Sequence, residues 1–131
     1  DIVGVLKNLK GTNVHTIDFS SNAIIWGSLD ELYGYEPYKR PNLKENKVHT
    51  VNLSGNRIGP EGAVAVVQAL QGTKVHTLYL SDNQIGGEGA IGLAKHLQGS
   101  SIHTLDLRCN NIQLKTRQLL IEQYPHIKWK L

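Results

Sequence analysis

Histidines recur at matched places along the chain, and their imidazoles are the first candidates for chemistry. Each follows an apolar residue and precedes a threonine: His15, His49, His76 and His103. If the four segments lie side by side as strands, the rings stand about 5 Å apart in a ladder. A metal site needs ligands that converge on one point, and a straight ladder does not converge. We therefore expect each ring to cap a neighbouring loop or to lie flat on the next, and we expect no metal or other cofactor.

The same ladder suggests a response to pH. Protonation of neighbouring imidazoles below about pH 6.5 would make the rings repel one another. A melting temperature that changes between pH 7.5 and 5.5 is the expected sign of that repulsion.

Cys109 is the single cysteine and the only thiol that could act as a nucleophile. A nucleophilic thiol needs a base and an orienting acid nearby, and the nearest candidates by repeat spacing are His103 and Asp82. His103 precedes Cys109 by six residues, which corresponds to roughly 20 Å along a strand. The glycines from Gly86 to Gly89 lack the Lys-Ser/Thr of a phosphate-binding loop. We therefore expect no enzymatic activity.

The histidines belong to a longer phrase that repeats. Each phrase reaches an asparagine eight residues after its first apolar residue: Asn22, Asn56, Asn83 and Asn110. An interval of 27 residues separates Asn56 from Asn83 and Asn83 from Asn110, and the first interval is 34 residues. A fixed period of this length predicts a solenoid, in which each unit buries its apolar face against its neighbours. We expect the asparagine amides to hydrogen-bond turn backbone inside the stack.

Within each unit the apolar period changes from that of a strand to that of a helix. Leu78 and Leu80 alternate with Tyr79, as in a strand with one buried face. Residues four apart then form two helical stripes, Ile58-Gly62-Val66-Leu70 and Ile85-Gly89-Leu93-Leu97. Gly62 and Gly89 are expected where a side chain would push the helix off the strand layer. The pattern predicts parallel inner strands, outer helices and a stack that curves into an arc, because helices are wider than strands.

The phrase Leu-x-x-Leu-x-Leu-x-x-Asn-x-Ile, followed by Gly-x-Glu-Gly-Ala and a helix, resembles the leucine-rich repeats. Its helical second half is similar to the ribonuclease-inhibitor and NOD-like-receptor type, which implies an α/β solenoid shaped as a right-handed horseshoe arc. The uniform, glycine-rich units also resemble those of bacterial effectors that act inside host cells. The resemblance therefore implies an intracellular protein, with the host-cell cytosol as its location if it is a secreted effector.

By length the chain is one leucine-rich-repeat domain, residues 1–131. We expect an N-terminal helix as partial repeat or cap in 1–13, a repeat with an insertion in 14–47, and repeats in 48–74 and 75–101. The terminal repeat and C-terminal cap occupy 102–131. There Leu119, Leu120 and Ile121 are expected to thicken the helix. Ile127, Trp129 and Leu131 alternate with lysines, which predicts a protected edge strand at the natural end of the chain.

Composition indicates which classes of partner and which cellular compartment to expect. The net charge is +3, from 14 basic and 11 acidic side chains, and the absence of a basic block disfavours nucleic acids and membrane surfaces as partners. No apolar run approaches the roughly 20 residues of a membrane-spanning helix. A lone cysteine favours a reducing, cytoplasmic or otherwise intracellular compartment.

The insertion in the first repeat concentrates aromatic residues: Trp26, Tyr33, Tyr35 and Tyr38. Pro37 and Pro41 exclude a continuous helix there. The segment is either an irregular loop packed on itself or a contact platform. Tyr and Trp favour the platform because they bring large contact area at low entropic cost.

The outward strand positions form the concave face. One column is always threonine, whereas the following columns vary between units. The candidate protein-binding residues there are Asp18, Asn52, Tyr79, Asp82, Asp106 and Arg108, with Arg57 reaching from the convex turn edge. Variation confined to one solvent-facing strip is what a binding surface needs; drift at an unconstrained surface is the alternative.

We therefore expect a module that binds another protein through the concave face and the aromatic insertion. By resemblance to ribonuclease inhibitors, inhibition of an enzyme is one form of that activity. The alternatives are a regulatory or sensor segment of a larger multidomain protein, a GTPase-activator-like protein, and a purely architectural module. For an activator, Arg57 and Arg108 are the residues to test.

Overall fold

The computed structural model describes residues 16–21 and 47–131 of the chain. Several predicted features lie outside the described residues. They are the helix expected in residues 1–13, the aromatic insertion, and the first recurring histidine and asparagine, His15 and Asn22.

The described part of the chain contains five short strands and three helices, and from β2 onward a helix follows each strand except the last. The strands are β1 (Thr16–Asp18), β2 (Thr50–Asn52), β3 (Thr77–Tyr79), β4 (Thr104–Asp106) and β5 (Lys128–Lys130). The helices are α1 (Gly59–Ala69), α2 (Gly86–Ala94) and α3 (Leu114–Gln123). The strands form one sheet in the order β1-β2-β3-β4-β5, and every neighbouring pair is parallel. The predicted parallel sheet is confirmed.

The hydrophobic core lies between the sheet and the helices. The middle residue of each of the first four strands is buried: Ile17, Val51, Leu78 and Leu105. Both predicted helical stripes are buried along their whole length, so their four-residue spacing identified the inner faces of α1 and α2. Glu61 and Glu88 lie in the first turns of these helices, where a negative charge is favourable. Among the helices of the described residues, none has the length and hydropathy that crossing a membrane requires.

The repeated asparagines join each turn to the preceding repeat. The side-chain amide of Asn83 donates to the carbonyls of Leu53 and Leu80, at 2.9 and 3.1 Å. Asn110 makes the equivalent bonds one repeat later, to Leu80 at 2.8 Å and Leu107 at 3.0 Å. The structural role expected for the asparagines is therefore confirmed at these positions, and it explains why the residue recurs with the period of the repeat.

Gly89, in the second helical stripe, is required for a different reason from the one expected. A Cβ atom at Gly89 would lie 2.7 Å from the Cα of Pro60, at the start of α1, and 2.7 Å from the Ile85 side chain. The close approach is therefore between neighbouring helices, and the expectation of a clash with the strand layer is wrong. A bulkier residue here would separate α2 from α1.

The C-terminal strand is present as predicted. Trp129 pairs with Leu105 in register and packs against the core, and its indole N–H donates to the carbonyl of Tyr124 at 3.1 Å. On α3 the expectation fails in part, because Leu120 is buried whereas Leu119 is 38% and Ile121 53% exposed. Consecutive residues of a helix point about 100° apart, so only one of the three faces the core.

Candidate concave binding face

Two rows of side chains cross the sheet on the face opposite the core. The last residues of the five strands are in register with one another, and we call them the central row: Asp18, Asn52, Tyr79, Asp106 and Lys130. The threonine row lies two residues earlier on each strand: Thr16, Thr50, Thr77, Thr104 and Lys128. Successive side chains of a strand point to opposite faces. Both rows therefore lie on the face away from the buried middle residues.

Three members of the central row stabilise the turn that follows their strand. The side-chain oxygens of Asp18, Asn52 and Asp106 each accept the backbone N–H of the residue two positions later, at 2.9 to 3.0 Å. This Asx turn leads the chain out of the strand. The turn therefore constrains the choice of Asp or Asn at these three positions. Tyr79 alone departs from the pattern within the row's first four members.

Asp18 lies at the outer end of the central row and is exposed. The hydroxyl and the backbone N–H of Ser20 lower the pKa of its carboxyl group, and the Asn52 side chain adds to the effect. Asp18 therefore remains ionised at neutral pH and gives this end of the row a negative charge.

Asp106 is not the accessible contact residue that the sequence predicted. Its side chain is only 2% exposed, and the Arg108 guanidinium covers it. The Arg108 Nε donates to Oδ1 at 3.0 Å, and Nη2 donates to Oδ2 at 2.7 Å. Burial by itself would raise the pKa of Asp106, but the bonds from Arg108 and the charge of Lys130 outweigh it and lower the pKa. Asp106 thus anchors Arg108, whose own side chain is 59% exposed.

Tyr79 occupies the middle of the central row, as predicted, and is half-buried. The ammonium group of Lys130 lies 5.6 Å from the centroid of its ring, within cation–π distance. Sequence reasoning assigned Lys130 only to edge protection and missed its place on the concave face. The alternation of lysines with Ile127, Trp129 and Leu131 was the available signal, since it directs both lysines away from the core.

The turn after the central row is constrained by backbone conformation. Ser21, Gly55, Asp82 and Cys109 have φ values of 56°, 72°, 54° and 59°. Such left-handed angles favour glycine and the short polar residues, so variation at Asp82 is restricted by the turn. Asp82 is exposed at this turn edge, and Arg57 is exposed just before α1, away from both rows. The remaining predicted contacts, Trp26, Tyr33, Tyr35 and Tyr38, lie outside the described residues.

The three histidines of the ladder that the structure describes lie flat on one another, which is one of the two arrangements expected. The ring centroids of His49 and His76 are 4.7 Å apart and those of His76 and His103 are 4.6 Å apart, with interplanar angles of 8° and 11°. Each Nδ1 is hydrogen-bonded to the hydroxyl of the following threonine, at 2.7 to 2.8 Å. Within residues 16–21 and 47–131 no group of three or more metal-ligating side chains is present.

We expect stability to fall as the pH drops from 7.5 to 5.5. Desolvation lowers the pKa of His76, and the charges of His103 and His49, stacked on either side, lower it further. The unfolded state therefore binds the proton first, and the stabilisation present above the unfolded pKa of about 6.5 is lost below it. Thermal unfolding of the wild type and of His76→Asn checks this: the variant should show a smaller pH dependence. His126→Gln, at an exposed histidine, should behave as wild type, and a flat wild-type profile would contradict the prediction.

Sequence comparison agrees with the repeat boundaries seen in the structure. The leucine-rich repeat family model matches residues 44–67, 73–94 and 100–115. The first match includes β2, the second includes β3 and α2, and the third includes β4. No curated protein sequence matches the chain. The parallel sheet, the helices and these three matches identify an α/β solenoid of leucine-rich repeats.

A solved structure supports the same architecture. The chain is similar to leiomodin-1 actin-binding site 2, with a TM-score of 0.75 over 98% of this chain and 76% of that chain. The two sequences are 15% identical. At that identity the likeness establishes the fold alone.

Proposed function

We propose that this leucine-rich repeat protein is a binding module that holds a protein partner on its concave face. The observation that carries the proposal is the central row, where Tyr79 lies in register between Asn52 and the Asp106–Arg108 pair. Aromatic and arginine side chains dominate interface hot spots. They project here from a sheet that is packed on its other face, so binding requires little ordering of the scaffold.

The aromatic insertion is proposed as a second contact with the same partner. Along the chain it lies between β1 and β2, the strands that carry Asp18 and Asn52. We propose that the partner is an enzyme and that binding inhibits it. The basis is the ribonuclease-inhibitor-like unit, in which helices of 11 and 9 residues follow β2 and β3. Action of a bacterial effector on a host protein is the setting that the glycine-rich units favour.

We further propose that the module is not an enzyme and works in a reducing, intracellular compartment. The exposed thiol of Cys109 suits such a compartment. His103, the candidate base for this thiol, has its Nδ1 bonded to Thr104 and its ring stacked on His76. A GTPase-activating role is the less favoured alternative, because the two bonds to Asp106 hold the Arg108 guanidinium at the end of β4, whereas an arginine finger must extend into a partner's active site. A GTPase assay with Arg57→Ala and Arg108→Ala variants tests it.

Tyr79→Ala is expected to weaken partner binding about tenfold or more, as truncation of a hot-spot tyrosine does. Trp26→Ala should do the same if the insertion contributes to the interface. The measurement is quantitative capture from native lysate by immobilised wild type and variants, with each variant's fold checked by thermal unfolding. Leu114→Ala, on the exposed side of α3, is the control and should capture the same partner fully. Unchanged capture by both aromatic variants would exclude the proposed surface.

A further inference from the structure

Positive charge accumulates on β4 and β5, at one end of the described sheet. Lys128 closes the threonine row, Lys130 closes the central row, and Arg108 follows β4 in the adjoining turn. Asp106 is buried beneath Arg108, and Asp82 is exposed beside it, with its backbone N–H bonded to the Arg108 carbonyl at 3.0 Å. Three cations and two carboxylates leave this end of the face with one net positive charge. Together with Tyr79, the three cations form what we call the basic end.

The pairing of Arg108 with Asp106 orients the guanidinium without exhausting it. A guanidinium carries five N–H donors in one plane. Two of them, one on Nε and one on Nη2, are directed at the Asp106 carboxylate. The other three belong to the opposite edges of the group, on a side chain that is 59% exposed. Arg108 is thus held in one orientation with donors left for a second carboxylate, which reduces the entropy lost on binding.

Lys130 interacts with two other members of the central row. Its ammonium lies over the Tyr79 ring at 5.6 Å, and its charge helps to lower the pKa of Asp106. Lys128 is exposed on the same strand, two residues earlier. The separation between neighbouring strands is about 4.8 Å, so groups on β4 and β5 can contact adjacent side chains of one bound segment.

We propose that the basic end binds an acidic segment of the protein partner, with glutamate or aspartate carboxylates placed against Arg108, Lys128 and Lys130. This inference rests on the proposed function, since it assigns chemistry to the partner that the concave face holds. At the other end of the described row lies the ionised Asp18. The face is therefore polarised, and charge complementarity sets the orientation in which the acidic segment lies.

The same polarity favours a protein segment over a nucleic acid. A phosphate backbone carries charge at every step and requires a continuous basic track. Between the basic end and Asp18, the two rows offer Asn52 and threonine hydroxyls, so no basic track continues across the described sheet. A peptide can instead place carboxylates only where the cations are and neutral side chains elsewhere.

The first test uses a fluorescein-labelled polyglutamate peptide and its polyglutamine counterpart, followed by fluorescence anisotropy at low ionic strength. The polyglutamate peptide is expected to bind at least about tenfold more tightly, with an affinity that falls as salt is added. Lys128→Glu and Lys130→Glu should each weaken it by about tenfold. Lys115→Glu on the exposed side of α3 makes the same change in net charge and should leave the affinity unchanged. Lys130→Gln, which removes the charge without adding one, should have an intermediate effect.

Three results would overturn the inference. They are equal affinity for polyglutamate and polyglutamine, equal losses in Lys115→Glu and Lys130→Glu, and tighter binding of oligothymidylate than of polyglutamate. The last would favour a nucleic acid. Lysate capture distinguishes the proposed binding face from the proposed acidic segment. If Tyr79→Ala loses a partner that Lys128→Glu and Lys130→Glu retain, the acidic segment is excluded and the binding face is supported. Melting curves of each charge variant identify any loss that arises from unfolding.

Discussion

Truncation of Leu105 to alanine is expected to lower the free energy of unfolding by about 2–5 kcal/mol, as for leucines in well-packed cores. Leu105 is 0% exposed and lies in register between Leu78 and Trp129. Both the transfer of the side chain and the cavity left behind contribute. The strands on either side are joined by backbone hydrogen bonds to β4, so they cannot close the space without breaking the sheet register.

Equilibrium unfolding in urea measures this effect, with an unchanged m-value as the sign that the variant still unfolds in one transition. Leu114→Ala makes the same chemical change at a side chain that is 68% exposed, and it should cost less than about 1 kcal/mol. A variant at Leu105 that is as stable as the wild type would contradict the assignment of this residue to the core face of β4.

Replacement of Asn110 by alanine is expected to cost about 3–5 kcal/mol, although the residue is polar. Its side-chain oxygen accepts the backbone N–H of Asn83 at 2.9 Å and that of Ile85 at 3.2 Å. Its amide donates to the carbonyls of Leu80, Leu107 and Arg108. The Leu80 carbonyl keeps the Asn83 amide and the Arg108 carbonyl keeps the Asp82 N–H. Alanine therefore leaves the N–H groups of Asn83 and Ile85 and the Leu107 carbonyl unsatisfied, and each such buried group costs about 1–3 kcal/mol.

The measurement for Asn110→Ala is again urea unfolding, combined with amide hydrogen exchange. Exchange should accelerate at Asn83 and Ile85, because the N–H groups of these residues lose their acceptor. Gln118→Ala, which removes an exposed amide from α3, is the control and should stay within about 0.5 kcal/mol of the wild type. A loss below about 1 kcal/mol at Asn110 would show that water replaces the amide and that the asparagine ladder contributes little.

These two expectations concern the scaffold, whereas Tyr79, Lys128 and Lys130 lie on the surface that it presents. The separation is useful because the middle residue of each of the first four strands is buried, whereas its neighbours on the strand belong to the two outward rows. A binding loss in a surface variant that unfolds like the wild type can therefore be assigned to the interface. A loss that accompanies a lower unfolding midpoint cannot.

The architecture of the chain follows from its repeat period. The interval of 27 residues between successive asparagines specifies the stacking of units, and the two apolar periods separate strand from helix. The positions of the buried leucines, the bridging asparagines and the C-terminal strand could be predicted, because each depends on local spacing that the units share. The aromatic insertion of the first repeat has no counterpart in the other units, so it offers no period from which to reason.

Tertiary structure decides how residues at equivalent positions of the repeats differ in burial and in contacts. Asp18 and Asp106 occupy matching places in their units, yet Asp18 is exposed whereas Asp106 is buried under Arg108. Lys130 reaches Tyr79 across β4, and Gly89 is required by Pro60 of the neighbouring helix. Each of these depends on which residue of another repeat lies alongside. Local spacing specifies the backbone of a unit, whereas burial and charge pairing on its surface depend on side chains that only the stacking of different units brings into contact.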